Sequence, residues 1–146
     1  MQLKMKILNN IGRCQTEFRA SESGVEINAL RHAYVLEICR EPGRTQDSLA
    51  AELCVNKSSV ARVLDWFEGN GYIERRSCST DKRCLLVYPT EKMLAVYPKR
   101  VETTKRWNSL ITEGISESEL EVFNSVLSRM NERAHKIYAE ISEDKK

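Results

Sequence analysis

Thr45-Gln46-Asp47-Ser48-Leu49-Ala50-Ala51-Glu52-Leu53 is followed, after Cys54-Val55, by Asn56-Lys57-Ser58-Ser59-Val60-Ala61-Arg62-Val63-Leu64-Asp65-Trp66-Phe67-Glu68. The first run opens on a hydroxyl able to accept from free backbone N–H groups, and its apolar residues recur at helical spacing, which predicts a helix of about two turns. Cys54-Val55-Asn56 breaks the pattern, and Asn56 stands where a second N-cap is needed. Two helices joined by so short a turn must cross steeply, which is helix-turn-helix geometry.

In the second of these helices Val60, Leu64 and Phe67 fall at i, i+4 and i+7, so one stripe faces a core. The other face carries Lys57, Ser58, Ser59 and Arg62, small hydroxyls beside long cations in the first two turns. That is the composition of a helix that offers its N-terminal residues to base edges and phosphates in a major groove, with Arg able to bond guanine in bidentate fashion. Gly71 is placed to end the helix in the left-handed conformation, and Tyr72-Ile73-Glu74-Arg75-Arg76 begins a strand. A polar connection over residues 77–83 leads to the β-rich return Cys84-Leu85-Leu86-Val87-Tyr88, so the hairpin reads as a wing with a charged tip. Arg75, Arg76, Lys82 and Arg83 are its candidate contacts to phosphate or minor groove, and Asp81 is the residue that shapes the tip and holds Arg83 in position.

Asn56-Lys57-Ser58-Ser59-Val60, Glu68-Gly69-Asn70-Gly71-Tyr72-Ile73, Asp81-Lys82-Arg83 and Thr90-Glu91-Lys92 together resemble the winged-helix core of the MarR family of bacterial transcriptional regulators. The family's Asp-x-Arg wing signature is present as Asp81 and Arg83. Met93 stands where the family usually has Gly and Pro89 where it usually has an aliphatic residue, so the entry to the next helix departs from the pattern. The resemblance implies a homodimer that binds double-stranded DNA and responds to small, often aromatic and anionic, effectors held between the dimer helices and the winged helix. Phe18, His32, Tyr34, Tyr97 and Trp107 are this chain's candidates for lining such a pocket, although aromatics at helical spacing equally serve a core.

Working outward, residues 3–20 place Leu3, Ile7, Ile11, Cys14 and Phe18 on one helical face. Asn28 caps a helix over residues 29–40, which Pro42-Gly43 ends. Beyond the wing, Thr90-Glu91 starts a long helix in which Pro98 predicts a kink or break near Tyr97. Ser116-Glu117-Ser118-Glu119 is a capping box, and behind it Leu120, Phe123, Leu127, Met130, Ala134, Ile137 and Ile141 alternate spacings of three and four, a seam that wants a partner helix. Both ends of the chain are therefore expected to form a dimerisation bundle, and a two-fold dimer would read two half-sites about one helical turn of DNA apart.

With 146 residues, one domain with appended helices is expected. Lys plus Arg number 23 against 21 Asp plus Glu, so bulk charge does not announce a nucleic-acid binder. Its distribution does: residues 57–83 hold six cations (Lys57, Arg62, Arg75, Arg76, Lys82, Arg83) against four anions, whereas residues 117–146 hold seven anions against five cations. The start of the chain lacks the apolar run of a signal peptide and no stretch is long enough to span a bilayer, so a soluble, cytoplasmic protein with no membrane partner is expected. His32 and His135 make no metal-ligand spacing with the scattered cysteines, no nucleophile, base and orienting group can be assembled, and no Gly-rich phosphate loop occurs. Neither a metal, a cofactor nor an enzymatic activity is expected.

Five cysteines are an odd number without a C-x-x-C pair, and in a reducing cytosol most are plain thiols. If the hairpin sets Cys78 opposite Cys84, their Cβ atoms come within disulfide reach. The family resemblance adds that some relatives sense oxidants through thiols, which makes Cys14, Cys78 and Cys84 redox candidates. The expected fold is mostly α with a small β-hairpin: a dimerisation helix in residues 1–27, a winged helix-turn-helix domain in 28–90, and long helices completing the dimerisation region in 91–146. The expected function is that of a dimeric, DNA-binding transcriptional regulator acting as a repressor on a pseudo-palindromic operator, its binding modulated by a small ligand or an oxidant. A winged helix used only to bind protein is the alternative.

Overall fold

The computed structural model describes residues 4–22, 27–81 and 83–143. Its elements run α1 (Met5–Glu22), a 3₁₀ turn (Ala29–Arg31), α2 (His32–Arg40), β1 (Arg44–Thr45), α3 (Gln46–Glu52), α4 (Lys57–Gly69), β2 (Ile73–Ser77), β3 (Leu85–Pro89), α5 (Glu91–Ile111) and α6 (Glu117–Glu143). This is a mostly helical winged helix with long flanking helices, as the spacing of caps and apolar residues predicts. Leu3, the first residue of the expected packing stripe, and Ser23 and Gly24, the expected stop, lie outside the described residues.

The caps form where the sequence places hydroxyl and amide side chains. Asn28 accepts from Arg31 N–H at 3.1 Å, Thr45 from Ser48 N–H at 3.1 Å and Asn56 from Ser59 N–H at 2.7 Å. Ser116 and Glu119 make the reciprocal box, the Ser116 N–H donating to the carboxylate at 3.0 Å and the Glu119 N–H to the hydroxyl at 3.4 Å. Asn28, however, begins a 3₁₀ turn before α2 takes over at His32, so the single helix expected there is two pieces.

α3 and α4 end alike. After α4, Gly71 N–H bonds Glu68 O at 3.0 Å and Tyr72 N–H bonds Phe67 O at 2.8 Å, with Gly71 at φ +75°. After α3, Cys54 N–H bonds Ala51 O at 3.2 Å and Val55 N–H bonds Ala50 O at 3.1 Å, with Cys54 at φ +50°. Both are Schellman closures that need a left-handed residue. Glycine supplies it in one, and a cysteine is forced into it in the other.

The sheet has three strands, ordered β1-β3-β2 and antiparallel throughout. The third strand, β1, was not legible: it is two residues long, pairing Arg44 with Val87 and Thr45 with Leu86. Gly43, at φ +85°, brings the chain onto β3 so closely that a Cβ there would lie 3.0 Å from the Tyr88 hydroxyl. β2 and β3 pair from Ile73–Pro89 to Ser77–Leu85.

Ile27, Val35, Ile38, Leu49, Val60, Leu64, Phe67, Ile73, Val87 and Met93 form one buried core under α4 and the sheet. Each large side chain so buried contributes roughly 1.5–3 kcal/mol over an exposed one. Met93, the departure from the family pattern, is fully buried there. Pro98 does not break its helix: α5 is continuous from Glu91 to Ile111. Leu94 and Pro98 are both exposed, so the carbonyl that the proline leaves without a helical donor lies on an exposed face of α5. By contrast, no residue of α1 or α6 is buried.

Candidate nucleic-acid interface

α4 is oriented by its apolar stripe. With Val60, Leu64 and Phe67 all at 0 % exposure, the helix cannot rotate without emptying the core, and Lys57, Ser58 and Arg62 are left facing outward. Ser59 is half-buried, its backbone N–H committed to the cap. Ser58 Oγ donates to Asn56 Oδ1 at 2.8 Å, so the capping amide also holds a hydroxyl at the front of the helix. Lys57 pairs with Asp47 of α3 at 2.7 Å, but both side chains are about 60 % exposed (60 % and 65 %), and such a pair yields readily to a phosphate. The far end of α4 is braced by aromatics: Trp66 stacks on Tyr72 with ring centroids 5.9 Å apart, and Arg31 lies 3.9 Å over the Trp66 ring.

The wing is tied to α4 by Arg75. Its guanidinium donates to Glu68 through Nε at 3.0 Å and to Asp65 through Nη2 at 2.7 Å, and the hydrogen bond from Arg75 holds the Glu68 carboxyl below the usual range. Only 17 % of the Arg75 side chain is exposed. Arg76 projects from the other side of the strand, paired with Glu74 and lying 4.5 Å over the Tyr88 ring, with 59 % of its side chain exposed. At the tip, Asp81 Oδ1 accepts from Arg83 N–H at 2.9 Å and the Asp81 carbonyl from Cys84 N–H at 3.1 Å. Asp81 thus orders the backbone of the turn and leaves the exposed Arg83 guanidinium outside this bond. Lys82 lies outside the described residues.

The residues expected to line an effector pocket do not gather in one place. Phe18 of α1 and Trp107 of α5 meet with centroids 5.5 Å apart. Tyr34 is buried in the winged-helix core against Phe67. Tyr97 lines a separate cleft on α5 with Pro98, Val101 and Lys105. His32 is fully buried, its Nε2 3.0 Å from the Thr104 hydroxyl, and its Nδ1 finds no partner among the described residues.

Around His32 the structure adds two residues the sequence did not single out. Arg100 of α5 donates to Ile27 O at 2.9 Å in a buried position, and Arg19 of α1 is desolvated beside them. Burial, then the charges of Arg19 and Arg100, push the His32 pKa down from 6.5 to about 4. α1, α2 and α5 therefore bring Arg19, His32 and Arg100 together in a desolvated place.

Of the cysteines, Cys14 and Cys54 are exposed. Burial pushes the half-buried Cys39 thiol up to about 11. Cys78 and Cys84 are joined by a disulfide across the mouth of the wing.

Residues 27–85, from the first core residue to the return strand of the wing, match the sequence profile of the MarR family. This winged-helix segment is thus similar to the MarR family. It is 26 % identical over 100 residues to YybA of Bacillus subtilis (strain 168), described as an uncharacterised HTH-type transcriptional regulator, over 68 % of this chain and 67 % of that one. A crystal structure of MarR superposes with a TM-score of 0.81 at 28 % identity, covering 95 % of each chain. A putative MarR family regulator from Listeria monocytogenes, solved in complex with a 26mer DNA, superposes with a TM-score of 0.91 at 20 % identity over 98 % of this chain and 96 % of that one. No helix among the described residues of this chain is long and apolar enough to cross a membrane.

Proposed function

We propose that the protein is a cytoplasmic, homodimeric repressor that binds a pseudo-palindromic operator in double-stranded DNA. α4 lies in the major groove with Asn56, Lys57, Ser58, Ser59 and Arg62 at its reading end, while Arg76, Lys82 and Arg83 of the wing take phosphate or minor groove. The observation that carries this is the rigid division of α4 into a fully buried stripe and an exposed cationic, hydroxyl-bearing front. The Listeria monocytogenes relative crystallised with DNA supports the same use of the fold. Residues 28–90 are the reading unit; residues 1–27 and 91–146 are the dimerisation region.

The dimer is supported by what the single chain leaves uncovered. Ile7, Phe123, Ile137 and Ile141 are 49–50 % exposed, and Ile7, Leu8, Phe123, Val126, Leu127 and Met130 line an apolar cleft of about 310 Å³ between α1 and α6. An apolar surface of this extent on two long helices is the signature of a partner interface. The second copy also supplies what one winged helix lacks, a second half-site.

Modulation by a small ligand or an oxidant completes the reading. Phe18 of α1 and Trp107 of α5, in contact with ring centroids 5.5 Å apart, offer the apolar part of such a ligand a surface. Such an effector would act by favouring one spacing of the two recognition helices, a coupling typically worth ~1–3 kcal/mol. Selection of bound sequences from a random duplex pool tests the central claim. A two-fold symmetric consensus with half-sites about one helical turn apart is expected; no enrichment at low salt would sink the DNA-binding reading.

A further inference from the structure

The mouth of the wing carries a pair of cysteines that DNA reading does not require. Ser77 and Leu85 are the last registered pair of β2 and β3. One step beyond, Cys78 N–H donates to Cys84 O at 2.9 Å, the two Cα atoms are 5.4 Å apart, and the sulfurs are bonded. That separation is in the middle of the range disulfides span, so the backbone register alone brings the two sulfurs together. Both residues are half-buried and reachable from solvent, and they close off residues 79–83, the tip that holds Asp81 and Arg83.

We propose that Cys78 and Cys84 form a reversible oxidation site that sets the stiffness of the wing, and that the disulfide form binds DNA more tightly than the dithiol form. The proposal rests on the DNA-binding reading above. Without the sulfur bridge, the bond from Cys78 N–H to Cys84 O is the cross-strand hydrogen bond beyond Ser77 and Leu85 among the described residues, and fixing Arg83 against DNA then costs more conformational entropy. With it, most of that loss has already been met within the free protein, and preorganisation of this kind appears as affinity, chiefly through slower dissociation. The bridge replaces two neutral thiols by a neutral disulfide, so the number of phosphates neutralised, and hence the salt slope, is the same in both forms.

The chemistry balances with a hydroperoxide as the oxidant. One thiolate attacks the O–O bond, forming a sulfenic acid and releasing an alcohol, or water where the oxidant is hydrogen peroxide. The second thiol attacks that sulfur, the S–S bond forms and the sulfenic oxygen departs as water. Two sulfurs lose two electrons together and the peroxide gains them. Two equivalents of a cellular thiol reverse the change by exchange, as expected for a disulfide in a reducing compartment.

The test uses the full chain carrying Cys14→Ser and Cys54→Ser, so that the wing pair holds the accessible thiols. Hydrogen peroxide should yield a monomeric mass lower by two hydrogens, which reductant restores. Dissociation of the selected duplex should be about tenfold slower from the oxidised form, at the same salt slope. Adding Cys78→Ser and Cys84→Ser should give the reduced-form rate under both treatments. Equal or faster dissociation from the oxidised form, or failure to form the intramolecular bond, overturns the proposal while leaving DNA binding intact. Absence of duplex binding in both redox states, with the fold intact by circular dichroism, overturns the DNA-binding reading and this proposal with it.

Discussion

Arg75 on β2 is bonded to Glu68 on α4, its Nε at 3.0 Å from the carboxylate, and Asp65 shares the same guanidinium at 2.7 Å. A residue that composition would assign to a phosphate is thereby a strut between wing and recognition helix. Arg75→Ala should lower stability by about 1 kcal/mol, since the arginine is largely covered but both carboxylates are well exposed. The melting temperature should fall by a few degrees and affinity should weaken without a change in salt slope. Unchanged stability with a slope smaller by about one would instead make Arg75 a phosphate contact.

Arg62 and Arg83 should part company by the same measure. Arg62 stands on the exposed front of α4, so Arg62→Ala is expected to reduce discrimination between operator and non-specific duplex by ~1–3 kcal/mol. Arg83, at the wing tip, should weaken binding to all sequences and reduce the salt slope by about one when replaced by alanine. Titrations of each variant on both duplexes at several salt concentrations separate the two roles. An unchanged specificity ratio for Arg62→Ala would remove it from the reading surface.

These contrasts also show where the sequence is informative. Thr45, Asn56 and Ser116 announce their helices because a cap is satisfied within three residues, and Val60, Leu64 and Phe67 announce a buried face because one helix contains the whole pattern. β1 is silent because two residues have no period; it exists only through Leu86 and Val87, some forty residues further on. Pro98 predicts a kink or break, and α5 runs on through it without a break, with Leu94 and Pro98 both on an exposed face. Arg19 and Arg100 do not announce their burial, because arginine is ordinarily a surface residue. The available signal was Arg100 lying among Val96, Thr103 and Thr104 at helical spacing.

His32 makes stability depend on pH in a defined window. Its folded pKa, about 4, lies below the ordinary 6.5, so between these values the unfolded chain binds a proton that the folded chain excludes. Stability is therefore complete above 6.5 and is lost as pH falls toward 4, by up to roughly 3 kcal/mol. His32→Gln retains a polar group for the Thr104 hydroxyl but cannot titrate. Urea denaturation across this range should show a steeper acid loss in the wild type than in the variant; parallel curves would mean that the imidazole is protonated within the fold.

If the α6 seam joins two copies, a charge within it should separate them. Phe123 and Leu127 lie on the apolar cleft against α1, 50 % and 37 % exposed in the single chain. Neither supports the winged-helix core, so Phe123→Glu with Leu127→Glu should leave the fold intact. Sedimentation should show a shift from dimer toward monomer, and operator affinity should fall at least tenfold through loss of the second half-site. A dimer that survives both charges at micromolar concentration would place the interface elsewhere.

The paired closures after α3 and α4 allow the left-handed position to be weighed with little else changing. At Gly71 a Cβ would meet nothing within 4 Å, so Gly71→Ala should cost only the backbone conformation, about 1 kcal/mol. At Cys54 the strain is already present at φ +50°, on an exposed side chain whose inter-element contact is with His135 Nε2 at 3.6 Å. Cys54→Gly should therefore stabilise the protein by up to about 1 kcal/mol, less the weak thiol contact and the added freedom of the unfolded chain. Chemical denaturation should move the two midpoints in opposite directions. If Cys54→Gly destabilises instead, the thiol's contact with α6 is worth more than the strain it imposes, and Cys54 holds the helix-turn-helix against the C-terminal helix.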